Sequence, residues 1–453
     1  MLSLLRELRS NARRPPRPRA ARRVCLSVER LEDRLVPAVF LVENLNDSGA
    51  GSLRQALLNA NATAGADIIR FADGLTGAIT LTSGQLGISD SVSIIGPGAD
   101  VLTISANDNS RIFVDTSSGS TTVSITGLTL TSGRGNSAAG GAIFINNDTW
   151  TVSNMVFEGN SSTSTGGAIH NSGTLTVLNS TFHGNTASGG GGIYNGSGAT
   201  LTIHNSTFSN NTAVNNGGGV FNSGGTVTIR QSTFSNNMAN SGSSGGGGGI
   251  ITSGLGLVTI QNSTFTANTA ANNGGGIFVN SGTLTLESTI VANNTATNGA
   301  DVFRLSGTLN ARHSLIRAMN DGALNGDDPR NNIFGEDPLL APLGYYGGPT
   351  QTHALLVGSP ALDAGFNYAG TTTDQRGDSF PRQIGTAVDI GAYEGASFIV
   401  INTNDSGAGS LRDVIDQANN TTGFQYVLFA SNLMDRTITL TSGEIAIADS
   451  VHV

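Results

Sequence analysis

Between Gly140 and Asn293, apolar and polar residues alternate in short runs, and the runs recur in one order six times. Each copy opens on glycines that close on an aliphatic residue: Gly140-Gly141-Ala142-Ile143, Gly166-Gly167-Ala168-Ile169 and Gly190-Gly191-Gly192-Ile193, then Gly217-Gly218-Gly219-Val220, Gly245–Ile250 and Gly274-Gly275-Gly276-Ile277. A Thr-rich alternating run follows, such as Thr174-Leu175-Thr176-Val177, and the copy ends as in Ser180-Thr181-Phe182-His183-Gly184-Asn185. The closing apolar residues Phe157, Phe182, Phe208, Phe234, Phe265 and Ile290 lie 25, 26, 26, 31 and 25 residues apart. A fixed period of this size marks a stacked-repeat architecture.

Period-two alternation rich in β-branched and aromatic residues, with no i, i+3, i+4 stripe, excludes helical and leucine-rich repeats. A unit of this length has room for three short strands and three turns, one rung of a parallel β-helix. The predicted fold is all-β, a right-handed single-stranded parallel β-helix of about ten rungs with a short N-terminal capping helix. Rungs stacked at about 4.8 Å set like on like. Ile143, Ile169, Ile193, Val220, Ile250 and Ile277 form one inward column, the closing residues Phe157 to Ile290 a second, and Val152, Val177, Ile203, Ile229, Ile260 and Leu286 a third. Asn160, Asn185, Asn211, Asn237, Asn268 and Asn293 are expected to stack as a structural amide ladder.

The paired Gly-Gly-Ala-Ile and Phe-x-x-Asn motifs resemble the repeats of chlamydial polymorphic outer-membrane proteins and of bacterial surface proteins with a pectate-lyase-like fold. The resemblance covers about a third of the chain and speaks for fold, since folds host many functions.

Five segments follow. Residues 1–38 read as a basic targeting leader, 39–77 as an N-terminal cap and 78–319 as the β-helix; 320–396 read as a C-terminal cap and 397–453 as a truncated second copy of the start. In the N-terminal cap, Leu53, Ala56, Leu57 and Ala60 have helical spacing behind Ser52, a candidate N-cap. Gly51-Ser52-Leu53-Arg54-Gln55-Ala56 resembles the Cys-Ser-Leu-Arg-Glu-Ala signature at the front of many such β-helices, with the cysteine and glutamate replaced. Arg54 is expected to make a salt bridge within the cap. Ser359-Pro360-Ala361-Leu362-Asp363-Ala364-Gly365, Asp374-Gln375-Arg376-Gly377 and Asp389-Ile390-Gly391-Ala392-Tyr393-Glu394 resemble the choice-of-anchor Q domain that ends β-helical surface proteins. Asn404–Arg412 repeats Asn46–Arg54 residue for residue.

Charge separates the ends of the chain. There is no lysine, and ten arginines against four carboxylates before residue 39 give the leader +6, so the rest carries −15 of the net −9. A body that acidic argues against nucleic acid, whose phosphates require a basic face. Arg30-Leu31-Glu32-Asp33-Arg34-Leu35-Val36-Pro37-Ala38 resembles the N-terminal sorting segment of planctomycete-type exported proteins, and cleavage near Ala38 is expected on that resemblance. The only cysteine, Cys25, lies in the leader, and no apolar run is long enough for a transmembrane helix. An extracellular or cell-surface monomer is expected.

Between Gly140 and Asn293 the only charged residues are Asp148, Glu158, Arg230 and Glu287, at different repeat positions. Lyases and hydrolases need carboxylates for Ca²⁺ or acid–base work, so the repeat is expected to be non-catalytic, without metal or cofactor. Asp363, Asp374, Arg376, Arg382 and Asp389 could form a loop-based site, although pairing inside a cap is the expected role. Following each inward aliphatic come Phe144, His170, Tyr194, Phe221, Ile251 and Phe278. Alternation turns these outward, and Phe144, His170, Tyr194, Phe221 and Phe278 are the candidate contacts for a polysaccharide or a cell-surface protein. The function expected is ligand binding or adhesion at the cell surface; the alternative is a polysaccharide lyase or hydrolase.

Overall fold

The computed structural model describes residues 37–453 apart from 118, 120, 137–138, 241–244, 321, 323, 326–330, 421–424, 449–450 and 453. The leader's arginines, Cys25 and most of the sorting segment therefore lie outside the described residues.

One repeat passes through four strands: Thr174–Leu178, Thr181–His183, Thr186–Gly189 and Ile193–Asn195. The third strand is additional to the three expected. All pairing between rungs is parallel, building sheets of eleven, eleven and nine strands and a short one of six. The coils number more than the ten expected: the longest sheets hold eleven strands, and strands of the N-terminal cap, Val39–Val42 and Asp67–Phe71, join the first of them.

The register follows the expected columns. Ile169 pairs with Ile143 and Ile193, and Val177 with Val152 and Ile203. Phe157, Phe182, Phe208, Phe234 and Phe265 are fully buried, their centroids 4.5, 4.5, 4.6 and 4.4 Å apart and their rings nearly parallel. The corner between the first two sheets is one residue in the left-handed region, with φ of 53°, 47° and 50° at Asn154, Asn179 and Asn205. Asparagine tolerates that conformation best among residues with a side chain, which explains the recurring Asn before Ser-Thr-Phe. The second glycine of each run answers a different need: a Cβ at Gly218 would stand 2.5 Å from both the Gly248 carbonyl oxygen and the Met238 nitrogen.

At the N-terminal end, helix α1 (Leu53–Ala62) is capped by Ser52 and buries Leu53, Ala56, Leu57 and Ala60 over the core. Arg54 Nη2 donates to Asp47 (2.6 Å) and to the Gly84 carbonyl (2.7 Å), and Nη1 to the Gln85 carbonyl (3.0 Å). The 397–453 segment forms the same unit. Helix α2 (Leu411–Asn419) is capped by Ser410, and Arg412 reaches Asp405, the Gly443 carbonyl and the Glu444 carbonyl at 3.0, 2.8 and 2.7 Å.

The segment expected as a C-terminal cap does something else. Residues 341–395 lie along the outer face of the second sheet. Alternation explains this. With each Phe pointing in, the preceding residue points out, giving Thr207, Thr233, Thr264, Ile290 and Leu315, all buried. Thr233 donates to Gln375 Oε1 (2.6 Å), Gln375 Nε2 donates to Thr207 (3.1 Å), and Ala392 N donates to Thr264 (3.1 Å). Ile290 and Leu315 supply an apolar seat for Ala354, Leu355, Ala361 and Ile390. The end of the core is met instead by Met319 and Leu324.

Candidate functional site

The outward column is half-buried at Phe144, His170, Tyr194 and Phe221. Phe144, His170 and Tyr194 stack face to face, with centroids 5.1 and 4.8 Å apart, whereas Phe221 meets Tyr194 edge-on at 5.3 Å. Arg111 lies over Phe144 at 5.2 Å and extends the stack. His170 is bonded through both ring nitrogens, to Thr165 (2.8 Å) and Ser172 (3.1 Å). Burial, with Arg111 adding, pulls its pKa down to about 4, so the column is neutral there at pH 7. Rings stacked in this way use their faces on one another and turn edges to solvent. Phe278 does not belong with the accessible residues: it is 1% exposed and Phe303 of the next rung packs on it at 5.7 Å. Ile251 is buried as well.

The amide ladder runs Asn160, Asn185, Asn211, Asn237 and Asn268, every member buried, each Nδ2 donating to the next Oδ1 at 2.9–3.0 Å. Its sixth member is Asn294, not Asn293. Asn268 donates to Asn294 Oδ1, and Asn294 passes the chain to Asp301 Oδ1 (2.8 Å), while Asn293 is an exposed left-handed residue bonded to Arg317. The Phe column shifts likewise, since Val291 rather than Ile290 pairs with Phe265. In that rung the corner residue is Ser288, φ 47°, so Ser288-Thr289 imitates the Ser-Thr of the other copies one position early. A second buried ladder, Asn171–Asn195–Asn222, went unread although it stands one residue beyond the aromatic column; its bonds are 2.7 and 2.9 Å.

Two charged arrangements also escaped the spacing argument. Asp148 is set against Asp115, from the irregular rungs before Gly140. Burial, with Asp148 adding, raises the Asp115 pKa. Burial acts against ionisation of Asp148 too, but hydrogen bonds from Ser117 and Thr121 hold its pKa low. On the outer face of the first sheet, Arg230 Nε donates to Gln261 (2.7 Å), Gln261 Nε2 donates to Glu287 (2.5 Å), and Arg312 pairs with Glu287.

The loop carboxylates gather into one buried cluster. Arg376 pairs with Asp374 (2.6 Å), donates to the Glu394 carbonyl (2.8 Å), and lies between the rings of Phe380 (4.0 Å) and Tyr393 (3.7 Å). Arg382 donates to the Asp389 carbonyl (2.6 Å) and faces Glu394 at 3.7 Å. Burial, with Asp389 adding, pushes Glu394 up to about 7. Asp363 is exposed, but its Oδ1 accepts from Ala387 N and its own N–H donates to Asp389. Beside the cluster opens a cavity of about 730 Å³, bounded by Tyr345, Phe380, Tyr393, Ser397 and Phe429. No group of three His, Cys, Asp or Glu among the described residues could hold a metal ion.

Parallel coils closed by a capping helix define the β-helix class. The family model described as right handed beta helix region matches residues 99–265 and, overlapping, 141–336. Together these span more than half of the chain, which belongs to that family. The chain is also similar to pectate lyase Pel9A, at 14% identity over 79% of this chain and 97% of that one, TM-score 0.40. Geobacillus virus E2 ORF18 is 12% identical over 70% of this chain, TM-score 0.35, and the match spans 65% of the viral protein's length. No curated protein matches the chain.

Proposed function

We propose that the chain is an exported, non-catalytic surface protein that binds polysaccharide or other envelope ligands. The observation that carries this reading is the aromatic column Phe144–His170–Tyr194–Phe221, half-exposed on a rigid parallel sheet. Such a column suits contact with a long polymer, where many weak encounters add up. The resemblances to polymorphic outer-membrane repeats, to the choice-of-anchor Q domain and to the planctomycete sorting segment support a place outside the cell, and the acidic body supports a partner other than nucleic acid.

The alternative is a polysaccharide lyase or hydrolase working from the Asp363–Asp389 loops. Against it stands the state of Asp374, Arg382 and Asp389: all three are buried, with Asp374 paired to Arg376 and Arg382 facing Glu394. A general acid or base must reach its substrate. The test is retention on insoluble polysaccharides and envelope fractions of the wild type and of Tyr194→Ser/Phe221→Ser. The double variant should keep its circular dichroism and lose several-fold in retention; equal retention would remove the column from the account.

A further inference from the structure

The ligand's ring has a better place than the column. At the column, Phe144, His170 and Tyr194 cover one another's faces, so it offers a long polymer many weak edge contacts, whereas a single sugar ring is held best by an open aromatic face. The cavity beside the loop cluster offers what the column lacks. It lies where residues 345–347, the Asp374–Gln383 loop and the strands Ala396–Val400 and Gln425–Phe429 meet. Tyr345 is 61% and Phe429 45% exposed at its rim, and Phe380 and Tyr393 form its wall. Its volume of about 730 Å³ falls among small-molecule sites, roughly 300–1,000 Å³.

Charge narrows the ligand. The Arg376 guanidinium in the wall is already neutralised by Asp374 and enclosed by two rings, so among the described residues lining the cavity no cation is free for a carboxylate or sulfate. Glu394, also in the wall, would repel an anion whenever it ionises. Ser397 Oγ, bonded to the Tyr393 hydroxyl at 2.6 Å, brings polar groups to a lining that is otherwise mainly apolar. Aromatic faces with a few hydroxyls and no available charge match a ring with apolar faces and a hydroxyl rim.

We propose that this cavity binds a neutral sugar ring of an oligosaccharide, through Tyr345 and Phe429. The proposal rests on the polysaccharide-binding reading and assigns it a site. The test is calorimetric titration of the full chain with cellohexaose, mannohexaose and xylohexaose, and with hexagalacturonate as the acidic counterpart. At least one neutral hexamer should bind better than hexagalacturonate. Tyr345→Ala/Phe429→Ala should lower that association by about tenfold or more with an unchanged melting temperature, while Tyr345→Phe keeps most of it. Leu255→Ser, at an exposed residue that belongs to neither the cavity lining nor the column, should leave short-oligosaccharide binding within about twofold. Loss in the column variant Tyr194→Ser/Phe221→Ser alone would overturn the cavity assignment and leave the polysaccharide reading standing. Preference for hexagalacturonate would overturn it too. Absence of hexamer binding, with retention on insoluble polymer intact, would sink the cavity and spare the general reading; absence of both would sink the two together.

Discussion

The register of the last full rung can be tested by two neighbouring substitutions. Asn294→Ala removes an Oδ1 that accepts from Asn268 N (2.8 Å) and Nδ2 (2.9 Å), and an Nδ2 that donates to the Phe265 carbonyl (3.0 Å) and to Asp301 (2.8 Å). Asn268 Nδ2 keeps a bond to the Phe234 carbonyl (2.9 Å), but the Asn268 N–H and the Phe265 carbonyl lose side-chain partners in a buried site. Two such groups at about 1–3 kcal/mol each put the cost near 4 kcal/mol. Asn293→Gly keeps the left-handed backbone, φ 61°, and gives up only an exposed bond to Arg317, so it should stay within about 1 kcal/mol. Urea unfolding supplies the global figure and hydrogen exchange of the Asn268 amide the local one. A local loss near 4 kcal/mol is roughly a thousandfold fall in protection. If Asn294→Ala cost less than about 1 kcal/mol, or Asn293→Gly cost more than Asn294→Ala, the ladder as described would be wrong.

Two further outcomes follow from the buried groups. Glu394 is raised to about 7, so the folded chain holds a proton that the unfolded chain releases. Its contribution to stability is present in acid and falls as pH rises from about 4.5 to about 7, by up to about 3 kcal/mol. The stability difference between wild type and Glu394→Gln, followed by urea unfolding across that range, should decline with pH; a rising difference would contradict the buried carboxyl. Gly218→Ala sets a Cβ against the Gly248 carbonyl oxygen and should cost about 3 kcal/mol by overpacking, read as a lowered melting temperature, whereas Ala300 occupies the matching position in the rung beyond the sixth copy, where Val302 pairs with Ile277.

The columns were legible because alternation and stacking are local rules repeated many times: Ile143 through Ile277 and Phe157 through Phe265 each pair as spacing requires. The slip at Ile290 arose where Ser288-Thr289 imitates the repeat while Ser288 takes the corner. Flank docking was hidden because a sequence pattern shows which side of a strand faces out, not what covers it. Gln375 reaches Thr207 from 168 residues away, and no periodicity encodes that. Phe278 was misjudged for the same reason, its cover being Phe303 of the following rung. The Asp115–Asp148 pair was missed because Asp115 stands before the first glycine motif, outside the window in which positions could be compared. The cavity had no sequence signal at all, since Tyr345, Phe380 and Phe429 share no motif.

The central claim is binding without cleavage. Its most direct test is to incubate the full chain with acidic and neutral polysaccharides, with and without Ca²⁺, scoring retained protein and released unsaturated or reducing ends together. The account predicts retention on neutral polymer with no product under either condition. Calcium-dependent release of product would contradict it and move the search to the loop carboxylates around Asp363.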